Sequence, residues 1–481
     1  MNPTAIRRLL TSPTVAMSGS LVLVAVAGYE FLSLAGTLPD RHKAATASFY
    51  VVVNTVGQGI FIGLEQEVSR SVSHASATGS PLQPVVRRAF RQTALLLAAC
   101  LLLIAALSPL LVAGPLHGEW PLIGAVFLGT CTASLSYCAR GLLGGTQQFG
   151  NYGLTLLAEG GTRLLPCLAL AAAGAGSMLS YSYVYALGLL FAASVGFWRL
   201  RPFLRQALGD GGAPVASGRV GAEGSAGATA TATATAGIGA GGGNSTDAAP
   251  AAGLARWVSA SLLFLVGAGL LTQLVANLPA LVASSRLSHA SGTAAAFVQA
   301  ASLTRIPVLL TGPVTAFLLP RLTSAGARGD THQVRTTVLA GVAAMLSLSL
   351  ATAVGLAALG PWVLSTFFHA HGISAWSLAV MGAGTGGIMA VSVLQPALVG
   401  LGRQRLVPLA WGTGAAVMTV VLVWPAGAVS AAVAGSVAGP AVVAAMMGLG
   451  VMRGVAAPTA GATASGAGAG PTLLETRAVD A

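Results

Sequence analysis

Long apolar runs recur along almost the whole chain, separated by short polar segments. Each run has about 20 residues or more, the length that an α-helix needs to cross about 30 Å of hydrocarbon. The pattern therefore predicts twelve membrane-spanning helices. They cover residues 14–37, 45–67, 93–115, 120–143, 153–174, 177–197, 257–282, 293–319, 336–366, 374–400, 406–425 and 427–451.

Composition agrees with this pattern. Of the 481 residues, 54% are hydrophobic and only 7% are charged, and the mean hydropathy is +0.79. So few charges cannot form the polar surface of a soluble domain of this length. The predicted fold class is an all-α polytopic membrane protein. The first run follows Arg7 and Arg8, as a signal-peptide core would, but it continues through YEFLSLAG and is interpreted as a retained span.

A polar, low-complexity segment divides the spans into two sets of six. Residues 206–255 are rich in Ala, Gly and Thr and lack large apolar side chains, so they predict a flexible cytoplasmic linker. It separates an N-terminal six-helix lobe, 1–205, from a C-terminal lobe, 256–452, and the tail 453–481 has the same composition. Because six is even, both lobes enter from one side, which predicts parallel repeats around a central cavity.

The excess of basic residues indicates orientation. The net charge is +12, and the arginines collect in alternate loops, to which we also assign Arg140. The other side has only Arg41, Lys43 and Arg286. By the positive-inside rule both termini are cytoplasmic in a cell membrane, and the charge does not indicate a nucleic-acid partner.

No pattern of catalytic residues accompanies the spans. Acid pairs, nucleophile elbows, phosphate loops and metal-ligand spacings are missing, and the four cysteines fall within predicted spans. We predict no enzymatic activity, no metal site and no cofactor.

A few ionisable residues lie inside the predicted spans, where each is a candidate for function because charge is costly in hydrocarbon. Glu159 and Arg163 lie four residues apart on one helix face and can neutralise each other. The pair is therefore either structural, or part of the cavity with Arg163 released to a substrate anion while Glu159 takes a proton. Glu30 is a further candidate for carrying a proton.

Arg305 has no acid within four residues in the eighth span. It must face water, an anion or a distant partner, and its planar fork suits a phosphate or diphosphate. Arg305 is therefore the leading candidate for binding the anionic part of a substrate. The alternative is an arginine held by backbone carbonyls or by Glu30 or Glu159.

Amide side chains form two further helical pairs, Asn54 with Gln58 and Gln273 with Asn277, and Gln299 extends the set into the eighth span. Such amides either join helices or bind sugar hydroxyls in a wet cavity.

Glu65 and Glu67 end the second span as it is predicted. They lie either at the cytoplasmic interface, where charge costs little, or in a gate with the basic segment that begins at Arg87 and ends at Arg91.

Four segments carry a resemblance to a known family. They are YVVVNTVGQGIFIGLEQEVSRSVS, YCARGLLGGTQQFGNYGLTLLAEGGTRLL, TRIPVLLTGPVTAFLLPRLT and LQPALVGLGRQRL. The sequence resembles the polysaccharide-transporter branch of the multidrug/oligosaccharidyl-lipid/polysaccharide (MOP) exporter superfamily, in particular actinobacterial lipopolysaccharide biosynthesis membrane proteins related to the O-antigen flippases. The resemblance covers all spans.

The resemblance implies two six-helix lobes around a cavity that passes the headgroup of an undecaprenyl-diphosphate-linked glycan while its lipid tail stays in the bilayer. Cationic cavity residues in such flippases meet the diphosphate, and Arg305 and Arg163 occupy the matching positions. The few charges argue against strong coupling to H⁺ or Na⁺, although Glu30 or Glu159 could carry a proton.

Two alternatives stay open. One is a cation-coupled multidrug exporter of the same superfamily, in which Glu30 and Glu159 are the cavity acids. The other is a membrane scaffold for glycosyltransferases or a polymerase that transports nothing and uses its basic loops for docking. Replacing Arg305 by alanine separates a flippase from a scaffold, since only the flippase depends on that charge.

Overall fold

The structure is a computed structural model that describes residues 13–208, 259–287, 292–311, 331–401, 403, 405–425 and 427–456. The predicted linker and tail lie outside these residues, apart from a few positions at their edges. The described chain is helical. Its α-helices are α1 Pro13–Gly36, α2 Asp40–Val56, α3 Ile62–Thr78, α4 Leu82–Ala113, α5 Pro121–Gly145, α6 Phe149–Ala172, α7 Met178–Leu208, α8 Ala260–Arg286, α9 Thr293–Leu303, α10 Thr331–Phe367, α11 Ala375–Gly400, α12 Leu406–Val423 and α13 Ala428–Ala456.

Eleven described helices are long and apolar enough to cross a membrane. The all-α polytopic prediction is confirmed. The second span is much longer than predicted, because α2 and α3 form one continuous rod through a π-helical segment, Gly57–Phe61, and α3 extends to Thr78. Gly79 ends this rod in the left-handed conformation, with φ of 65°, that glycine adopts at low cost.

The eighth span is broken. Helix α9 ends at Leu303, and a 3₁₀ segment, Ile306–Leu310, follows. Pro307 lacks the backbone N–H that a continuous α-helix would need at that position, which favours the break. The break places Arg305 at a point where the regular helical hydrogen bonding stops.

Helix packing repeats between the two halves. In each half the first span packs on the fifth, the third packs on the fourth, and the fourth and fifth pack on the sixth. In the N-terminal half these pairs are α1·α6, α4·α5, α5·α7 and α6·α7. In the C-terminal half they are α8·α12, α10·α11, α11·α13 and α12·α13. The third helix of each half exposes leucines such as Leu102, 71% exposed, and Leu350, 66% exposed. These faces suit contact with lipid chains.

The two lobes meet along the rod of α2 and α3, which packs antiparallel to α8. Ser48 and Ser284 share a hydrogen bond of 2.7 Å near the predicted outer end. In the middle, Gly63 lies so close to α8 that a Cβ atom there would approach the backbone nitrogen of Val266 to 2.8 Å. Small residues therefore allow the close approach of the lobes, as they do between other membrane helices.

Candidate functional site

A chain of polar side chains crosses the lobe interface at mid-membrane depth. Arg305 donates from Nη1 to the side-chain oxygen of Asn277, and Asn277 donates from Nδ2 to Oε1 of Gln273 over 2.8 Å. Gln273 then donates from Nε2 to Oε1 of Gln58 over 3.3 Å. The structure thus brings together four of the predicted substrate-binding residues. In each of these hydrogen bonds the donor is on the side of Arg305 and the acceptor is on the side of the N-terminal lobe.

Arg305 keeps its charge in this arrangement. Its second terminal nitrogen donates to the backbone oxygen of Ala276, so both partners are uncharged. No described carboxylate forms an ion pair with it. An arginine has five N–H donors, and two are used, which leaves three for a ligand. Arg305 as a whole residue is partly exposed.

The space behind Arg305, inside the C-terminal lobe, is small. It is a cavity of about 20 Å³, roughly room for one water molecule. Thr385 and Ser436 line it, but both hydroxyls donate to backbone oxygens of their own helices. A sugar headgroup cannot enter this cavity, so it would have to reach Arg305 from the lobe interface.

A second charged cluster lies inside the N-terminal lobe. Glu159 forms two ion pairs of 2.5 Å, one to Arg140 on α5 and one to Arg163 one turn along α6. Arg163 also donates from Nε to the backbone oxygen of Tyr185 over 3.1 Å, and its guanidinium carbon lies 3.9 Å from the centre of the Tyr185 ring. All three charged residues are at most 5% exposed.

This cluster bears on two sequence interpretations. Arg163 is 4% exposed and is held by Glu159 and Tyr185 inside the lobe, which favours the structural interpretation of the pair over a substrate-binding role. Arg140 is not a loop arginine, because it is 4% exposed within α5 and pairs with Glu159. Its position inside the predicted span 120–143 was the signal that could have identified it.

The two glutamates of α3 are buried, rather than exposed at the membrane surface. Glu65 accepts a hydrogen bond of 2.7 Å from the hydroxyl of Tyr152. Glu67 pairs with Arg70 over 2.9 Å and accepts hydrogen bonds of 3.0 Å from Ser259 and Ser261 at the start of α8.

The contact of Glu67 with the start of α8 revises the predicted gate. Glu67 joins the N-terminal lobe to the start of α8 in the C-terminal lobe, at the predicted inner ends of both. The contacts of the two glutamates described above are with Tyr152, with Arg70 on the same helix and with the two serines at the start of α8.

The remaining candidates lie outside the polar chain. Asn54 donates to the backbone oxygen of Tyr50 and to the Tyr185 hydroxyl, over 2.7 and 3.1 Å, so it joins helices within the N-terminal lobe. Glu30 is partly exposed in α1 and forms no ion pair within the described ranges. Among the described residues Glu65 also lacks an ion pair, but it is buried and accepts a hydrogen bond from Tyr152, whereas Glu30 is partly exposed.

Gln299 lies where the predicted outer ends of α1, α9 and α10 meet. Its amide nitrogen donates to the backbone oxygens of Leu32 and Phe368 over 2.9 and 3.4 Å. The hydroxyl of Tyr29 reaches the backbone oxygen of Ser302 over 3.1 Å in the same region. Gln299 therefore joins the two lobes at this contact, which favours the interpretation of this amide as one that joins helices.

Gly36 makes this outer contact possible. A Cβ atom at Gly36 would overlap the carbonyl oxygen of Phe368. We expect Gly36→Val to keep the outer ends apart, because backbone on both sides leaves no room for the side chain. The measurement is labelling of Ser302→Cys, a 6% exposed position in this contact, by an impermeant maleimide in a background without other cysteines.

Labelling in the Gly36→Val variant should rise several-fold over the parent. Gly19→Val on the same helix is the matched control, since a Cβ atom there meets nothing within 4 Å. Equal labelling of the two variants would contradict a steric role for Gly36.

Comparison with known proteins identifies the fold. No family model and no curated protein matches the sequence. Solved structures do match, one of them an inward-facing multidrug resistance MATE family transporter of the MOP superfamily, with a TM-score of 0.63 and 13% identity over 90% of this chain and 94% of that one. A eukaryotic MATE transporter matches with a TM-score of 0.59 and 11% identity, over 92% and 96% of the two chains.

A flippase is similar to the same degree. The lipid II flippase MurJ in an inward closed conformation matches with a TM-score of 0.59 and 11% identity, over 91% of this chain and 88% of that chain. At these identities the likeness establishes a shared fold. The chain therefore shares its all-α polytopic fold with MATE transporters and with MurJ.

Proposed function

We propose that the protein is a flippase that moves the headgroup of a lipid-linked oligosaccharide across the membrane by alternating access. The observation that carries the proposal is Arg305, a partly exposed residue at the interface of the lobes whose charge no described carboxylate neutralises. Such a charge attracts an anion, and its remaining donors suit a phosphate or diphosphate. An undecaprenyl-diphosphate-linked glycan is the substrate that the sequence resemblance also implies.

The amides beside Arg305 add a second recognition element. Gln58 lies on the π-helical segment of the N-terminal lobe and is exposed, and Gln273 faces it from the C-terminal lobe. Amide groups hydrogen-bond sugar hydroxyls, so the same interface offers a cation for the diphosphate and neutral polar groups for the first sugar. Moving the lobes apart would break the bond of 3.3 Å between the two glutamines, whereas the bonds that join Arg305, Asn277 and Gln273 lie within the C-terminal lobe.

The fold supports a change of access. At the predicted outer end the lobes touch both where α1 meets α9 and where α2 meets α8. At the predicted inner end the contact between Glu67 and the start of α8 lies on one side of this interface. If the outer contacts opened while the inner contact held, Arg305 would become accessible from the outer side of the membrane.

The test is transport by purified protein in vesicles that contain a fluorescent undecaprenyl-diphosphate glycan. A membrane-impermeant quencher reports the fraction of headgroups on each leaflet. We expect the full chain to redistribute the headgroups at least about tenfold faster than empty vesicles, because polar headgroups cross lipid slowly without a protein. Rates equal to those of empty vesicles would reject the proposal and favour a scaffold.

A cation-coupled multidrug exporter is the second candidate. Glu30 favours it, since this carboxylate has no ion-pair partner within the described residues. The two functions differ in the charge of their cargo: a cationic drug would be repelled by Arg305, whereas a diphosphate would be bound. The same vesicles loaded with a fluorescent cationic dye separate them, because only the exporter moves the dye.

A further inference from the structure

The predicted inner ends of α4 and α7 form a groove that the proposed transport does not use. The two helices pack antiparallel, and the rings of Phe90 and Phe197 stack with centroids 6.0 Å apart. Below this pair, Val86 on α4 and Leu200 on α7 are fully buried. Phe90 and Phe197 therefore form the apolar floor of a shallow groove between the helices.

Arginines flank this floor on both helices. A helix turns about 100° per residue, which places Arg87 about 60° from Phe90 on α4, and Arg201 and Arg205 about 40° and 80° from Phe197 on α7. Viewed along its own axis from N- to C-terminus, each helix carries its arginines on the same rotational side of its phenylalanine. Because the two helices run antiparallel and face each other, the three arginines lie on the same side of the contact. All three are exposed.

The groove lies at the depth of lipid headgroups. Residues 94–113 of α4 contain no charge, so Phe90 lies just outside the hydrocarbon-crossing stretch. Trp198 next to Phe197 is 54% exposed, and its ring lies 4.8 Å from the guanidinium carbon of Arg199. Exposed tryptophan is typical of the membrane interface.

Nothing in the described part of the N-terminal lobe neutralises these arginines. Its carboxylates at this end are Glu65 and Glu67, both buried and bonded to Tyr152 and to Arg70, Ser259 and Ser261. The groove is therefore cationic on two sides, apolar at its floor and open to lipid. The side-chain arrangement goes beyond a general excess of positive loops, because it concentrates the charge on one surface.

We infer that this groove binds an anionic phospholipid of the bilayer, with the headgroup between the arginines and the acyl chains along α4 and α7. Helices that pack together have axes about 8–10 Å apart, so arginines on both sides suit a headgroup with two phosphodiesters, such as that of cardiolipin. Basic pockets between helices on the cytoplasmic side bind such headgroups. The groove involves α4 and α7, not the interface where α8 and α9 place Arg305, which favours a resident lipid over the transported one.

The test is native mass spectrometry of the delipidated full chain titrated with cardiolipin and, separately, with phosphatidylcholine. The parent protein should retain one cardiolipin in preference to phosphatidylcholine. The triple variant Arg87→Gln, Arg201→Gln, Arg205→Gln should lose affinity for cardiolipin by on the order of 100-fold, since each arginine near an anionic surface contributes roughly a fivefold factor.

A matched variant removes three exposed arginines from the same predicted side of the other lobe: Arg335→Gln, Arg405→Gln, Arg453→Gln. It should keep the cardiolipin within about twofold of the parent, because the groove is intact. Equal losses in both triple variants would overturn the site in favour of general surface charge. Tighter binding of a polyprenyl diphosphate than of cardiolipin would overturn the assignment to a resident phospholipid.

Discussion

Replacing Arg305 with glutamine is expected to reduce headgroup flipping by about 10- to 100-fold. A hydrogen bond to a charged group contributes about 1.5–3 kcal/mol, and glutamine removes both the charge and the planar fork. The described residues offer no second free cation at this interface, because Arg163 is held by Glu159 and Tyr185. The measurement is the quenching assay with the fluorescent diphosphate glycan.

Asn277→Asp tests whether the charge itself matters. The new carboxylate would lie against the guanidinium, where the Asn277 oxygen now accepts its hydrogen bond, and would neutralise it while leaving Arg305 in place. Flipping should fall about as far as in Arg305→Gln. Asn277→Ala is the control, because it removes the partner but keeps the positive charge, and its loss should be smaller. Normal flipping by Asn277→Asp would exclude an anion-binding role for Arg305.

Glu159→Gln is expected to destabilise the fold by about 3–5 kcal/mol, because removing one partner of a buried ion pair leaves an uncompensated charge. Here two buried arginines, Arg140 and Arg163, lose the carboxylate that both of them contact at 2.5 Å. The measurement is the free energy of unfolding of the purified protein in detergent, by titration with sodium dodecyl sulfate.

Glu119→Gln is the matched control for Glu159→Gln. It also removes a paired glutamate, but Glu119 is partly exposed at the end of a span, where it meets His42 over 3.3 Å. Surface pairs contribute about 0–1 kcal/mol, so this variant should unfold nearly as the parent does. Similar effects of the two substitutions would mean that the Arg140, Glu159 and Arg163 cluster does not hold the N-terminal lobe together.

The two charged clusters divide their roles between the lobes. The charges of the N-terminal lobe neutralise one another in its interior and stabilise the packing of α5, α6 and α7. Among the described residues, Arg305 contacts neutral groups, the side chain of Asn277 and the backbone of Ala276, and it lies at the interface. The predicted effects differ accordingly, since Glu159→Gln should act first on stability, whereas Arg305→Gln should act on transport by a folded protein.

The sequence was sufficient for the class of fold. A span must satisfy its own backbone hydrogen bonds and present apolar side chains to lipid, and both requirements are local, so they appear as long apolar runs. The same locality made Arg305 recognisable, because no acid lies within one helical turn of it. The break of α9 and the π-helical segment Gly57–Phe61 were not predicted, since hydropathy carries no signal for a change in helical hydrogen bonding.

Partners that are distant along the chain were decided only by the tertiary structure. Arg140 and Glu159 lie 19 positions apart and meet because α5 and α6 pack side by side. Gln58 and Gln273 lie 215 positions apart and meet because the lobes do. Packing therefore determined which polar groups neutralise one another, and it left Arg305 at the interface without a described acidic partner. Burying an ionic group requires neighbouring groups that compensate its charge, and hydropathy and helical spacing do not specify those neighbours.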